Sequence, residues 1–419
     1  KAGAEEIARV LAPDGVACFE GSAPELKGCK PMKSVGGWSL VTKPRPAEMD
    51  DFTHHNYDAG CNRVGRDRLA EAPFSMRWMD GPQWTTSYSG PYTMVSAGGR
   101  IFTGVEERYR FGNDPSRVFI TARDAYNGKV LWRRRAQGFK ALAAVATEDV
   151  IYSTLQPKTG PLVSLDAVTG EVKRTYKEAG AAEWAVLVGN RLIIGAGSKG
   201  GVKCVSAGDG KVLWSSKRAI PGSKKTPNVA VDAKKGEIYF AQFVRKSANP
   251  PTIGCLDLAT GAEKWAVPAE GFPAGKKARG GGLASYSSEH GIVVLGAGSA
   301  FEGGGAYAYS TRDGKRLWTA DYRLVCSGRG ARHKGSSYID GYFIDGLFWI
   351  LAGRGNYKSK EEMKAAGPRQ AIGWHGYDPK TGKVVKRLDL EDKEYIGDSC
   401  HRTNASVLYF LGGHSRFVD

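Results

Sequence analysis

The stretch TARDAYNGKVLW, residues 121–132, recurs along the chain in altered copies. Its frame is a short apolar run, an Asp, three residues, a Gly and, four residues on, a Trp. It returns as SLDAVTG (164–170), VSAGDGKVLW (205–214), LDLATGAEKW (256–265), YSTRDGKRLW (309–318) and YDPKTGKV (377–384). The turn glycines are Gly128, Gly170, Gly210, Gly261, Gly314 and Gly382, so the steps are 42, 40, 51, 53 and 68 residues. A period near 40 built from short strands is the signature of propeller blades.

Every part of the frame has a physical reading. Asn-Gly, Thr-Gly and Asp-Gly suit hairpin turns because glycine accepts positive φ without steric cost. Asp124, Asp166, Asp257 and Asp378 stand four residues before the glycine, where a carboxylate can accept from turn amides. Ser206 and Ser310 hold that place in the other two copies. Trp132, Trp214, Trp265 and Trp318 fall on the outgoing strand and are expected to pack between neighbouring blades. Arg174 and Lys386 replace the Trp in copies two and six, so weaker blade contacts are expected there.

The pattern Ala-x-Asp-x-x-Thr-Gly-x-x-x-Trp resembles the tryptophan-docking repeat of pyrroloquinoline-quinone-type propellers. That group includes the quinoprotein alcohol dehydrogenases and the outer-membrane-protein assembly-factor propellers. The resemblance covers about residues 51–419. It implies an all-β β-propeller with four-stranded blades, seven or eight in the full protein, and a periplasmic or extracellular location. A fold of this kind hosts many functions, so the activity must be argued from a site.

The 419 residues are 41% hydrophobic and include 56 glycines, enough for one large propeller and a small neighbour. A formal net charge of +17 argues for polyanionic company or for simple solubility. Basic residues are scattered and no nucleic-acid motif is present, so nucleic acid is not the expected partner. The seven cysteines form no C-x-x-C and no adjacent pair. No run of 18 apolar residues exists to span a bilayer as a helix. The chain opens on Lys1 rather than Met, and a preceding segment is expected.

Four regions follow from these signals. Residues 1–20 hold an amphipathic helix, a Pro-Asp-Gly turn and a strand. They resemble the late helix–RVLxPGG–strand segment of class I methyltransferases, here with Asp14 for the middle glycine and without the glycine-rich cofactor loop. Fusions of that kind occur in large planctomycete-type proteins, and an ordinary helix–strand lead-in reads equally well. Residues 21–50, rich in Lys, Pro and Gly, read as a linker or edge segment. Residues 51–90 read as the segment leading into the propeller, with Asp58 and Arg63 expected to tie it to the propeller face. The adjacent His54 and His55 would point to opposite faces of a strand and so do not chelate a metal as a pair. Residues 91–419 hold six repeats and part of a seventh blade. Closure of its sheet edges is left either to residues outside the chain or to the segment near 51–80.

Propeller ligands usually sit at the axial mouth, where the chain leads into each inner strand. Arg279 lies 12 residues before the Gly291 turn, His333 lies 13 before Gly346 and His401 lies 12 before Gly413. With Arg332 and Arg402 beside them, these groups are the expected ligand-binding set, suited to carboxylate or sulfate. The plain alternative is a set of solvated loop residues. Lys140 and Trp184 fall near the same place in earlier blades. No catalytic residue and no metal ligand is assigned. The leading reading is a binding module for an anionic small molecule, a glycan or a protein. The resemblance also implies a pyrroloquinoline-quinone-dependent oxidoreductase with calcium, although the adjacent cysteines and acidic trio of such enzymes are missing. A third reading is an assembly scaffold for other proteins.

Overall fold

Each copy of the repeat is the third strand, turn and outer strand of one antiparallel sheet. The computed structural model describes residues 3–69, 78, 93–107, 117–156, 160–197, 200–222, 226–244, 249–273, 281–299, 303–322, 341–353 and 371–389. It also describes short strands at 403–404, 408–409 and 417–418. Among these residues there are six four-stranded antiparallel sheets, each built from four consecutive strands. They are blade 1 (93–136), blade 2 (145–175), blade 3 (184–216), blade 4 (229–268), blade 5 (282–322) and blade 6 (341–389). The chain is therefore an all-β propeller with a small N-terminal α/β piece.

The six copies are structurally equivalent. In every blade the pairing of third and outer strands slips by one residue just before the Asp or Ser of the motif, at Ala122/Arg123, Ser164/Leu165, Cys204/Val205, Cys255/Leu256, Ala308/Tyr309 and Gly376/Tyr377. A bulge at a fixed place bends the outer strand in the same way each time. Asp166 Oδ1 accepts from the amides of Val168 and Thr169 at 2.9 Å, and Asp124, Asp257 and Asp378 make the same pair of bonds. The turn glycines have φ between 67° and 82°, where a side chain would be strained.

The motif tryptophans cross from one blade to the next. Trp214 Nε1 donates to the Leu258 carbonyl at 3.0 Å, and a Cβ on Gly261 would lie 2.3 Å from its indole. Trp132 stands in the same way to Ala167 and Gly170, and Trp318 to Pro379 and Gly382. Trp265 lies against Gly314 and is only half-buried. Trp214 and Trp318 are 7% exposed, and Trp132 is half-buried. Blade 2, which has Arg174 at the Trp position, is compensated two residues later. Tyr176 Oη donates to the Ala207 carbonyl at 2.6 Å, the acceptor equivalent to Leu258, while Arg174 reaches the Asp209 carbonyl at 2.9 Å. In that blade a buried tyrosine two residues on takes the acceptor that the tryptophan takes in other blades. Trp78 bears the same relation to blade 1, with its Nε1 3.1 Å from the Ala125 carbonyl and its indole over Gly128.

Apolar faces of adjacent blades form the core. Phe102 and Ile120 of blade 1, for example, pack with Ile151 and Leu165 of blade 2. At the N-terminus the helix Ala4–Val10 and the strands Val16–Glu20, Lys30–Pro31 and Trp38–Thr42 enclose Ala8, Leu26 and Val41. The last of these strands lies between the other two, so residues 21–50, read as a linker, carry two of the three strands. Tyr126 of blade 1 reaches Met49 Sδ at 3.4 Å, and Arg45 pairs with Asp51 at 2.7 Å.

Candidate functional site

The axis of the propeller is where the inner strands converge, and one end of it holds the chain's own residues 52–65. This strap meets the inner strands in chain order. Phe52 exchanges two bonds with Ser96 of blade 1, at 2.9 and 2.7 Å. The Thr53 carbonyl accepts from Ala146 of blade 2 at 2.8 Å, and His54 Nε2 accepts from Leu187 N–H of blade 3 at 3.0 Å. The Ala59 carbonyl accepts from Val231 of blade 4 at 2.8 Å. Asn62 then joins two blades: its Oδ1 accepts from Ser285 Oγ of blade 5 at 2.5 Å and from Phe343 N–H of blade 6 at 3.0 Å, while its Nδ2 donates to the Phe343 carbonyl at 3.0 Å. Val64 and Gly65 pair in parallel with Thr403 and Asn404.

Ser96, Leu187, Val231 and Phe343 are each the last residue but one of an inner strand. The strap therefore lies at the end of the axis where the inner strand turns into the second strand, opposite the connections that lead into the inner strands.

The strap is polar and tightly enclosed. His54, Asn56, Arg63 and Cys61 are buried. Burial lowers the His54 ring to about 4. Because Nε2 accepts from an amide, the ring proton sits on Nδ1 and points to Thr53 Oγ1 at 2.8 Å. Burial also pushes up the Cys61 thiol, which accepts from Asn56 Nδ2 at 3.1 Å. Tyr57, Cys61 and Arg63 have φ of 81°, 60° and 61°. Each such residue costs about 1–2 kcal/mol relative to ordinary backbone, so the strap's bonds must hold it against that strain.

On its outer side the strap borders a crevice of about 530 Å³ lined by Arg45, Met49, Asp50, Asp51, Tyr57 and Arg66 among others. Its charges are already matched: Arg45 with Asp51, Arg66 with Asp58, and Tyr57 Oη donating to Asp50 at 2.5 Å. Desolvation raises the Asp58 carboxyl above the usual range. Asp58, expected to tie the strap to the propeller, instead caps a local turn through Gly60 N–H at 2.8 Å.

The residues expected at the opposite mouth, Arg279, Arg332, His333, His401 and Arg402, lie outside the described residues. Of the two earlier positions, Trp184 is a core residue, fully buried and bonded to the Ile220 carbonyl at 2.8 Å. Lys140 is tied through its backbone to Thr154 Oγ1 at 2.8 Å. Among the described residues no three His, Cys, Asp or Glu side chains converge as a metal requires. The sequence has no adjacent cysteines. Among the described residues no acidic cluster of that size is present to hold the calcium that accompanies pyrroloquinoline quinone. No described helix is long and apolar enough to cross a membrane.

No curated protein sequence matches the chain. Among solved structures, the quinohemoprotein alcohol dehydrogenase of Comamonas testosteroni is similar with a TM-score of 0.51 at 14% identity, over 86% of this chain and 69% of that one. BamB from Moraxella catarrhalis is similar at 13% identity over 94% of each chain, with a TM-score of 0.47. Likeness at such identity speaks for the fold alone. The sequence model of the outer membrane protein assembly factor BamB matches residues 116–247 and 198–408, which takes in the described repeats from the third strand of blade 1 to blade 6. With the docking turns repeated from blade to blade, that match places the chain in the BamB family of β-propellers.

Proposed function

We propose that this propeller is a non-catalytic binding module outside the cytoplasm, which takes an anionic partner at the axial mouth opposite the strap. The observation that carries the reading is the strap itself. It fills one end of the axis with the chain's own polypeptide and leaves the connections into the inner strands as the approach to it. Arg279, Arg332, His333, His401 and Arg402 belong to those connections by their common offset from the next hairpin. A net charge of +17 supports an anionic ligand. Guanidinium forks favour carboxylate or sulfate over a neutral group. The name of the matching family, an assembly factor, favours an acidic protein segment over a free glycan. For the N-terminal piece, the order helix, Pro-Asp-Gly turn and strand supports kinship with a methyltransferase end. Without a glycine-rich loop it is not expected to hold S-adenosylmethionine.

The test is binding of acidic peptides, heparin-like oligomers and uronates to the wild type and to an Arg279→Ala/Arg332→Ala variant across a salt series. Each charge-assisted bond lost should weaken binding by about 1.5–3 kcal/mol. Equal binding by both proteins would contradict the reading.

A further inference from the structure

The strap meets the blades as a ligand meets a receptor. Its bonds to the inner strands follow chain order from blade 1 to blade 6. Most are hydrogen bonds, and the apolar side chains it sends into blade cores, Ala59, Cys61 and Val64, are small. Adjacent blades share apolar cores to which the strap adds only those small side chains, and the motif tryptophans make further contacts on the outer strands. Three non-glycine residues in the strap hold left-handed backbone that relaxes on release. A crevice lined in part by the strap's own Thr53, Tyr57 and Asp58 borders it.

We propose that the hairpin ends of the inner strands form a peptide-binding ring, occupied in cis by residues 52–65, which can leave it while the blades stay folded. The ring would present the amides of Ser96, Ala146, Leu187, Val231 and Phe343 and the hydroxyl of Ser285. These are donors, so the ligand class is a peptide with turns like those of the strap, which offers acceptors in sequence, three of them backbone carbonyls. It would need one carboxamide to bridge blades 5 and 6, as Asn62 does, and one ring nitrogen to accept from blade 3, as His54 does. The same segment of a second copy satisfies those requirements as well as the chain's own.

The test uses the full chain. Asn62→Ala removes the bridge between blades 5 and 6, and Cys61, buried in the seated strap, reports release through alkylation read by peptide mass spectrometry. In the variant, labelling of Cys61 is expected to rise by about tenfold or more, in line with the loss of the neutral hydrogen bonds that Asn62 makes, while the tryptophan emission stays native. A fluorescent peptide copying residues 50–66 should bind the variant and not the wild type, and a scrambled peptide should bind neither. Labelling that rises only as tryptophan emission is lost, or no peptide uptake by a variant whose Cys61 is reactive, would overturn the proposal. If Asn62→Ala does not fold, native-state hydrogen exchange of the wild type decides. The Ala146, Leu187, Val231 and Phe343 amides should exchange together and ahead of the second-strand amides at 151–154, 192–195 and 238–241. Equal protection of the two groups would equally overturn it.

Discussion

The rim and the axis of this propeller tie the same blades together by opposite means. At the rim one device is repeated: an aromatic on the outer strand, or just past it in blade 2, lies over the next blade's turn glycine and donates to a carbonyl three residues before it. At the axis the blades offer backbone amides from similar positions, but the single polar strap that meets them repeats no sequence motif and answers with carbonyls, a ring nitrogen and a carboxamide. The rim gains from burial of large apolar surface, which depends little on pH. The axis relies on hydrogen bonds from enclosed polar residues, which are costly when unmet and sensitive to protonation. The rim should therefore dominate global stability, and the axis should set its dependence on conditions.

The largest effect expected is at the rim. Trp214→Ala should cost about 3–5 kcal/mol, as large aromatic truncations in cores do. Gly261→Ala, which drives a Cβ into the same indole, should destabilise as well, and the double variant should lose less than the sum of the two. Additive losses in chemical denaturation would mean that the pair does not form one contact.

The next effect belongs to the axis. Burial holds His54 neutral down to about 4, whereas an unfolded chain takes that proton near 6.5. Its contribution is complete above 6.5 and is lost as the pH falls toward 4, amounting to about 3 kcal/mol across that window. In His54→Gln the fall in stability between those limits should be shallower. An unchanged slope would remove His54 from the account.

A smaller effect sharpens the rim side. Tyr176→Phe keeps the ring and loses only the bond to Ala207, so about 1 kcal/mol is expected. Arg174→Ala, at an exposed site, should change stability by less than about 0.5 kcal/mol. If the arginine proved the more costly of the two, the aromatic would not be the docking group of blade 2.

The same contrast separates what the amino-acid sequence makes legible from what it hides. Repetition exposes the rim: Asp, Gly and Trp at fixed spacing specify the fold, the turns and the inter-blade aromatics. Tyr176 falls outside that spacing because it stands two residues past the Trp position, although the bulge and the turn around it are the same. Residues 51–90 read as a lead-in to the propeller, but the path of the strap along six inner strands depends on one-off partners such as Asn62 with Phe343, 281 residues apart. No local period encodes such a pairing. Adjacency of His54 and His55 speaks against a chelating pair, yet the role His54 does have, accepting from a backbone amide, carries no sequence signature.

The central claim is that residues 52–65 are seated on the axis, and His54 reports it directly. Histidine-selective ¹⁵N nuclear magnetic resonance across a pH titration, with the signal assigned through His54→Gln, should show a neutral Nδ1–H ring that titrates near 4. A His54 that carries its proton on Nε2, or that titrates near 6.5 like a solvated ring, would contradict the account.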